Sequence, residues 1–386
     1  MAARTLSGND ISVWKVEQTV KGEIPANPEF NYFRRTEGAA RKQVAYVQSS
    51  EVKTNRQARQ NLKDTVTFPS ELSFEMTKQT IGEMQAAFQS TESVRTATSA
   101  TIAFDATGAS STDGSFAGFD AGDYIFVSGS TSNDRVFKIT AKTDSDNVDL
   151  SPAPTTEAAG ASITIDSNRT VTGKTPRYFA IQTRTVDQSA VGNVDYRTFY
   201  DCQINTGSFE IAESGIVTGA ANYVGEQLNP GSASISGQTD AAIDQSAVIS
   251  AQSGIEQFWV DGTPDDCIIK SMGFELTNNL QEDNAAACEG AEYANGDLGL
   301  TGSLVARNRI DDANVWRDRY ENGTNLELAV TVDHGNDEKT VFVVESCKIT
   351  EHTRANGSNA VANSEMTYSA EESSRGYTAA IYRNWV

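Results

Sequence analysis

One short phrase occurs three times in this chain and constrains what it can fold into. Residues 70–76 carry Leu72, Ser73, Phe74, Glu75 and Met76 in a row. Residues 202–211 carry Cys202, Ile204, Thr206, Ser208, Phe209, Glu210 and Ile211. Residues 267–276 carry Cys267, Ile269, Ser271, Gly273, Phe274, Glu275 and Leu276. The last two copies agree at Cys, at Ile, at a small hydroxyl residue and at small-Phe-Glu-aliphatic. Each is followed by a second strand-like stretch with a Thr-Gly step, Thr218-Gly219 and Thr301-Gly302. A repeated strand-turn-strand unit points to a structural building block rather than a catalytic pocket. Chance similarity between β-strands is the competing explanation.

The chain has 386 residues, enough for two or three domains with a substantial core. Its apolar fraction of 38% and charged fraction of 22% are those of a globular chain, and no apolar run reaches membrane-spanning length. No membrane partner is expected. The opening residues, from Met1 through Arg4 to Gly8, lack the apolar stretch of a signal peptide, so assembly in a cytoplasm is expected. Cys202, Cys267, Cys288 and Cys347 show no CxxC spacing and read as buried free thiols.

The net charge of −21 argues against nucleic-acid binding through a basic face. It is unevenly spread: residues 1–91 carry +2, residues 92–170 carry −6 and residues 171–386 carry −17. Within the first part, Arg34, Arg35, Arg41, Lys42, Lys53, Arg56, Arg59 and Lys63 face only Glu37, Glu51 and Asp64 across residues 31–64. A basic segment on an acidic body suits copies of a protein docking on one another. A solvated basic loop is the plainer alternative.

Strand-like alternation dominates. Ile11 to Val16, Val44 to Val47 and Val66 to Phe68 read as strands, while Thr54 to Asn61 has no apolar face and reads as an exposed loop. Thr80 and Glu83 have capping-box spacing, and Ile81, Met84 and Phe88 form the apolar stripe of a short helix. Residues 92–170 turn Ser-, Thr-, Gly- and Asp-rich with short β runs, the pattern of a small β-sandwich or barrel, expected here as an Ig-like/β-sandwich domain inserted into a larger one. After residue 170 the strands resume, with one helix capped by Asp311 or Asp312, faced by Val315, Trp316 and Tyr320, and closed by Gly323. The expected organisation is residues 1–91 as the first part of the main domain, 92–170 as the insertion and 171–386 as the remainder. The expected fold class is mainly β with one or two short helices.

Chemistry is sparse. His334 and His352 are the two histidines, and neither lies near a nucleophile elbow. Asp144, Asp146 and Asp149 loosely resemble a calcium loop but lack its glycine and distal glutamate. No catalytic, cofactor-binding or metal-binding residue is expected.

The residues do resemble one family, the major tail tube proteins of long, flexible-tailed (siphovirus-type) bacteriophages. The resemblance is carried by Pro28, Phe30 and Phe33 to Thr36; by Val47 to Val52 with Asn55, Arg56 and Gln57; and by the Phe-Glu strand leading into the 80–90 helix. It continues through Tyr200 to Thr206, Gly215 to Gly219, Phe274 to Leu280 and Leu300 to Gly302. Gly122 to Gly129 and the Arg135 to Ile139 strand look like the β-domain often inserted in such proteins. The resemblance implies a β-sandwich or shared-barrel tail-tube fold flanked by a helix. It also implies homohexameric rings stacked into a tube whose lumen conducts DNA without binding it. Tail tip, tape-measure and tail terminator proteins would be its partners, and the virion tail its place, after assembly in the bacterial host cytoplasm. An acidic lumen would let DNA slide, and Arg34, Arg35, Arg56 and Arg59 are the expected inter-subunit contacts. A β-rich surface adhesin or capsid decoration protein is the alternative.

Overall fold

The computed structural model describes residues 10–50, 61–186, 194–229, 233–265, 268–284, 290–308, 315–355 and 362–385. Strands form where the pattern alternates. In Asn363–Ala370, for example, Ser364, Met366 and Tyr368 are buried while Glu365, Thr367 and Ser369 are exposed, the period of a half-buried strand.

Strands β1 (Ile11–Glu17), β2 (Glu29–Tyr32), β3 (Gln43–Gln48) and β4 (Asn61–Glu75) precede helix α1 (Ile81–Ala87). Seven short strands follow: β5 (Thr96–Ser99), β6 (Ala103–Phe104), β7 (Gly108–Ser110), β8 (Tyr124–Ser128), β9 (Val136–Lys142), β10 (Asn147–Ser151) and β11 (Ile163–Asp166). Then come β12 (Asn168–Val171), β13 (Phe179–Val186), β14 (Val194–Ile211), β15 (Thr218–Gly225), β16 (Gln227–Leu228) and β17 (Thr239–Asp240). The last part holds β18 (Ile255–Val260), β19 (Thr263–Pro264), β20 (Ile269–Thr277), β21 (Gln281–Asp283), β22 (Glu292–Ala294) and β23 (Gly299–Arg307). Helix α2 (Val315–Asn322) leads to β24 (Leu326–Asp333), β25 (Lys339–Ala355), β26 (Asn363–Ala370) and β27 (Ala379–Arg383). The protein is mainly β with two short helices, as its alternation predicts.

Eighteen strands join into one continuous sheet. Its spine is an antiparallel run in the order β3, β4, β15, β14, β20, β23, β26, β25. The two longest members of that run, β14 and β25, leave it at their N-terminal halves. There β14 pairs with β13, which also pairs with β1. The same half of β25 lies between β24 and β27. The two long strands thus belong to two layers, and the core fills the space between. Phe209 and Phe274 from the spine meet Phe342 from the other layer, with ring centroids 4.2 Å and 4.8 Å from Phe209. Burying each such ring contributes about 1.5–3 kcal/mol. Of the three repeated phrases, the first lies on β4. The other two lie on β14 and β20 and run side by side, with Phe209 opposite Phe274.

Both helices pack on the long strands. In α1, Ile81, Met84 and Ala87 are buried in the core, and a side chain at Gly207 of β14 would collide with Ala87. The capping-box reading is corrected here. Thr80 is already helical in backbone conformation and makes no cap bond to the helix. Its hydroxyl instead accepts the Thr77 amide proton at 2.8 Å. Glu83 is buried because Lys15 and the Tyr223 hydroxyl claim its carboxylate. In α2, Trp316 is the buried anchor and Gly323, at φ +58°, follows the last turn as expected. The cap candidates Asp311 and Asp312 lie outside the described residues, as do Cys267, Cys288 and most of the expected 54–61 loop. Cys202 and Cys347 are buried free thiols.

Strands β5–β11 form a separate seven-stranded sheet with its own core, which includes Ile102, Phe104, Phe116, Ile125, Phe137 and Ile163. A second apolar cluster joins it to the main sheet: Tyr124, Phe126 and Val136 pack on Trp259, Val341, Val343 and Tyr382. Fully buried Asp123 sits in this joint, paired with Arg95, Arg169 and Arg375 and accepting the Tyr382 hydroxyl at 3.2 Å. Burial alone would raise its pKa, but Arg95 and Arg375 outweigh that and hold the carboxyl below its usual range. Nearby, Lys138 pairs with Glu327, and Arg375 reaches Glu345 at 3.1 Å.

Burial pushes Glu345 up to about 7 from 4.5, with Glu327 adding to the rise and Arg375 opposing it. The folded state therefore holds this proton more tightly than the unfolded chain. Its contribution is present below pH 4.5 and is lost as pH rises to 7, by about 3 kcal/mol at most. His334 has the opposite sign. Burial pushes it down to about 4 from 6.5, so its contribution is present above pH 6.5 and is lost as pH falls. Glu345→Gln should remove the first dependence and leave the second. Thermal melts of that variant should show a midpoint that rises from pH 4.5 to 7 more steeply than in the parent protein.

Candidate functional site

One face of the spine is core; the opposite face is uncovered. On β4 the uncovered side carries Glu71, Ser73 and Glu75, and on β15 it carries Thr218, Ala220 and Asn222. On β14 the same side presents Thr206, Ser208 and Glu210, and on β20 Ser271, Gly273 and Glu275. Thr301 and Ser303 continue it on β23, and Glu365, Thr367 and Ser369 on β26. Ser73, Ser208, Glu210, Glu275, Thr301 and Thr367 line one open groove of about 870 Å³. Small hydroxyl residues alternate with glutamates, and among the described residues the middle of this face carries no lysine, arginine or aromatic side chain. Basic groups stand at its borders: Arg41 lies 3.8 Å from Glu71, Arg307 closes β23, and on the border strand β25 Lys348 stands opposite Ser369.

The packing beneath this face requires glycine. A side chain at Gly302 would meet both the Gly273 carbonyl and the Tyr368 ring at 2.3 Å. Tyr368, fully buried, donates its hydroxyl to that same carbonyl at 3.0 Å. The tyrosine thus locks β20, β23 and β26 together at a point where only glycine fits.

The candidate contact residues divide. Arg34 donates to the Ser246 carbonyl at 2.6 Å and lies 3.4 Å from Asp244. Arg35 donates to the Ile11 carbonyl at 2.8 Å. Both are therefore engaged within their own chain. Arg56 and Arg59 lie outside the described residues. Sequence reasoning missed the uncovered face, although the alternating Ser, Thr and Glu of β20 and β26 and the alternating Thr301 and Ser303 of β23 are its signal.

Neither histidine is set up for catalysis. His334 sits edge-on to Trp385 and bonds Thr340 at 3.0 Å. His352 stacks on Tyr320 and lies 3.1 Å from Ser364, whose hydroxyl donates to Asn308 at 2.7 Å and so is not aimed at the imidazole. Asp144 accepts the Asp146 amide at 2.8 Å and the Asn147 side chain at 3.0 Å, which makes it a turn-closing residue. Among the described residues no group of three His, Cys, Asp or Glu could hold a metal ion.

The two faces of the spine should respond differently to mutation. Gly302→Ala should cost about 1–3 kcal/mol by overpacking against Tyr368. Glu275→Gln, on the uncovered face, should stay within about 0.5 kcal/mol of the parent protein. Denaturant melts of the two variants check both.

None of the curated proteins compared with the chain matches it. A family profile described as phage tail tube protein matches residues 8–371, which includes every strand of the spine. That family is one of structural, non-enzymatic virion components that assemble with other tail proteins into a tube. The chain belongs to the phage tail tube protein family.

Proposed function

We propose that the protein polymerises as stacked sixfold rings, six chains per ring being what the resemblance implies, into the tube of a long, flexible, siphovirus-type tail. The uncovered spine face lines the lumen. The observation that carries this is the composition of that face, glutamates and small hydroxyl residues without central basic or aromatic side chains. Phosphates bind proteins through clustered Lys and Arg and the counterions these release. A wall of carboxylates and hydroxyls instead repels the DNA backbone and lets the duplex slide during ejection.

In this reading residues 92–170 form an inserted Ig-like domain carried on the outside of the tube. It is joined to the tube wall through the Asp123 cluster. Tail tip, tape-measure and tail terminator proteins bound the tube, and assembly takes place in the host cytoplasm. Arg34, Arg35, Arg56 and Arg59 belong to the basic side that meets a neighbouring subunit. Arg56 and Arg59 are the better candidates, since Arg34 and Arg35 already have partners.

Electron microscopy of the purified protein, alone and with tail-tip components, should show hollow tubes. Monomers under both conditions would overturn the reading. Charge reversal at both Arg56 and Arg59 should abolish tubes while leaving the monomer's melting temperature unchanged; normal polymerisation would sink that contact. A variant with Glu75, Glu210, Glu275 and Glu365 all changed to Lys should form tubes that retain DNA at 0.15 M salt, on the order of physiological strength, and release it at high salt. Retention no greater than in the parent tube would rule out the lumenal assignment.

A further inference from the structure

The two halves of the main sheet are built alike. In the first half, β13 lies between β1 and β14, β14 also meets β16, and β15 lies between β14 and β4. In the second, β24 lies between β18 and β25, β25 also meets β27, and β26 lies between β25 and β23. The chain order matches as well: a β-hairpin, a helix, a short strand, a long strand shared by two layers, then two return strands. Helix α1 packs on β14 where α2 packs on β25.

The register matches to the residue. Phe179 pairs with Cys202 and Ile181 with Phe199, so one residue of β13 opposes two of β14. Leu326 pairs with Cys347 and Leu328 with Val344, which gives the same bulge between β24 and β25. A second bulge follows at the same distance, just after Ile204 in β14 and just after Ile349 in β25. Opposite those isoleucines stand Tyr223 and Tyr368, both buried. At the outer strands, Trp14 pairs with Gln182 and Trp259 with Ala329. Superposing the pairings therefore puts Trp14 on Trp259, Cys202 on Cys347, Ile204 on Ile349 and Tyr223 on Tyr368. Independent strands do not share two bulges and four identical residues at matched register. Three residues, 323–325, link α2 to β24, whereas β5–β12 stand between α1 and β13.

The equivalence also exposes two edges that are unmated among the described residues. In the middle of the spine, residues 206–211 of β14 pair with residues 272–277 of β20. The counterpart of the first segment is residues 351–355 of β25, whose one strand neighbour among the described residues is β26. The counterpart of the second is residues 38–43, held to β4 by the Ala40–Ser70 bridge and by the Arg41 amide on the Pro69 carbonyl at 3.1 Å. These segments end the spine on either side. Long exposed strand edges are templates for pairing with another chain.

We propose that the chain is a tandem pair of one tube-building unit. Copies join head to tail, residues 38–43 of one pairing with residues 351–355 of the next as β20 pairs with β14. Such a heterologous contact closes into a ring when its rotation permits. Resting on the sixfold tube reading above, a ring of six units then holds three chains rather than six. The β5–β11 sheet, present once per two units, projects three times per ring.

The internal pair Ser208 and Glu275 corresponds to Thr353 and Arg41 across the new seam. Assembled tubes of an Arg41→Cys/Thr353→Cys variant, oxidised and run without reductant, should give a ladder that ends at three chains. Ser208→Cys/Glu275→Cys should cross-link within one chain. Microscopy of the same tubes should show a sixfold bore with three outer projections per ring. A ladder reaching six chains, or six projections, overturns the tandem stoichiometry while leaving the tube reading intact. Tubes in which the Arg41/Thr353 pair stays uncross-linked overturn the seam. If no tube forms, the tube reading fails. The seam then has its own readout: an Arg41→Cys/Thr353→Cys protein that stays monomeric under oxidation at high concentration, where the internal pair closes fully, overturns it.

Discussion

The structure depends on two strands that serve two layers of one continuous sheet at once. A β-strand that stays in one layer leaves its ladder groups satisfied on both sides of that layer only. β14 and β25 instead change layers partway, and each does so at a bulge where one partner residue faces two. A bulge bends and twists its strand locally, which is what a layer change requires. In β14 the bend is pinned from outside. Asp201 sits at φ +54° and takes the Gln18 side chain at 2.9 Å and the Gly22 amide at 2.6 Å. Everything between the layers, from Phe209 to Phe342, is packed around those two bends.

The joint between the seven-stranded sheet and the main sheet is different in kind. It combines an aromatic cluster around Tyr124 and Trp259 with buried charge at Asp123, Glu327 and Glu345. Buried ions are tolerable only when paired and hydrogen-bonded, since removing one partner strands the other in a low-dielectric site. Asp123 has three arginines and a tyrosine hydroxyl around it. Burial raises the Glu345 carboxyl, and Arg375, which it shares with Asp123, opposes that rise only in part.

Much of the fold was legible because strand burial writes itself as alternation. The β character, the short helices at Ile81 and Trp316, the polar change after residue 92 and the buried cysteines at 202 and 347 all follow from local pattern. The capping box did not hold, because Glu83 is worth more to Lys15 and Tyr223 in the core than to a helix end. The repeated Phe-Glu phrase was a true signal with a different meaning. Its copies at Phe209 and Phe274 resemble each other as cross-strand neighbours under the same packing demands. The residues that superpose, Trp14 with Trp259 and Cys202 with Cys347, stand too far apart in sequence, and too sparsely, to be found without the pairing register.

The amino-acid sequence by itself determined that this is a β-rich, acidic chain, because hydrophobic period, turn residues and charge are local properties of neighbouring residues. Only the tertiary structure decided which faces and edges are left over. Arg34 and Arg35 look available in sequence and are tied to Ser246 and Ile11 in space. The Ser, Thr and Glu side chains of six strands, scattered from Glu71 to Ser369, converge on one uncovered wall only once strand order and register are set. Strand order is a matter of long-range pairing, and no window of sequence contains it.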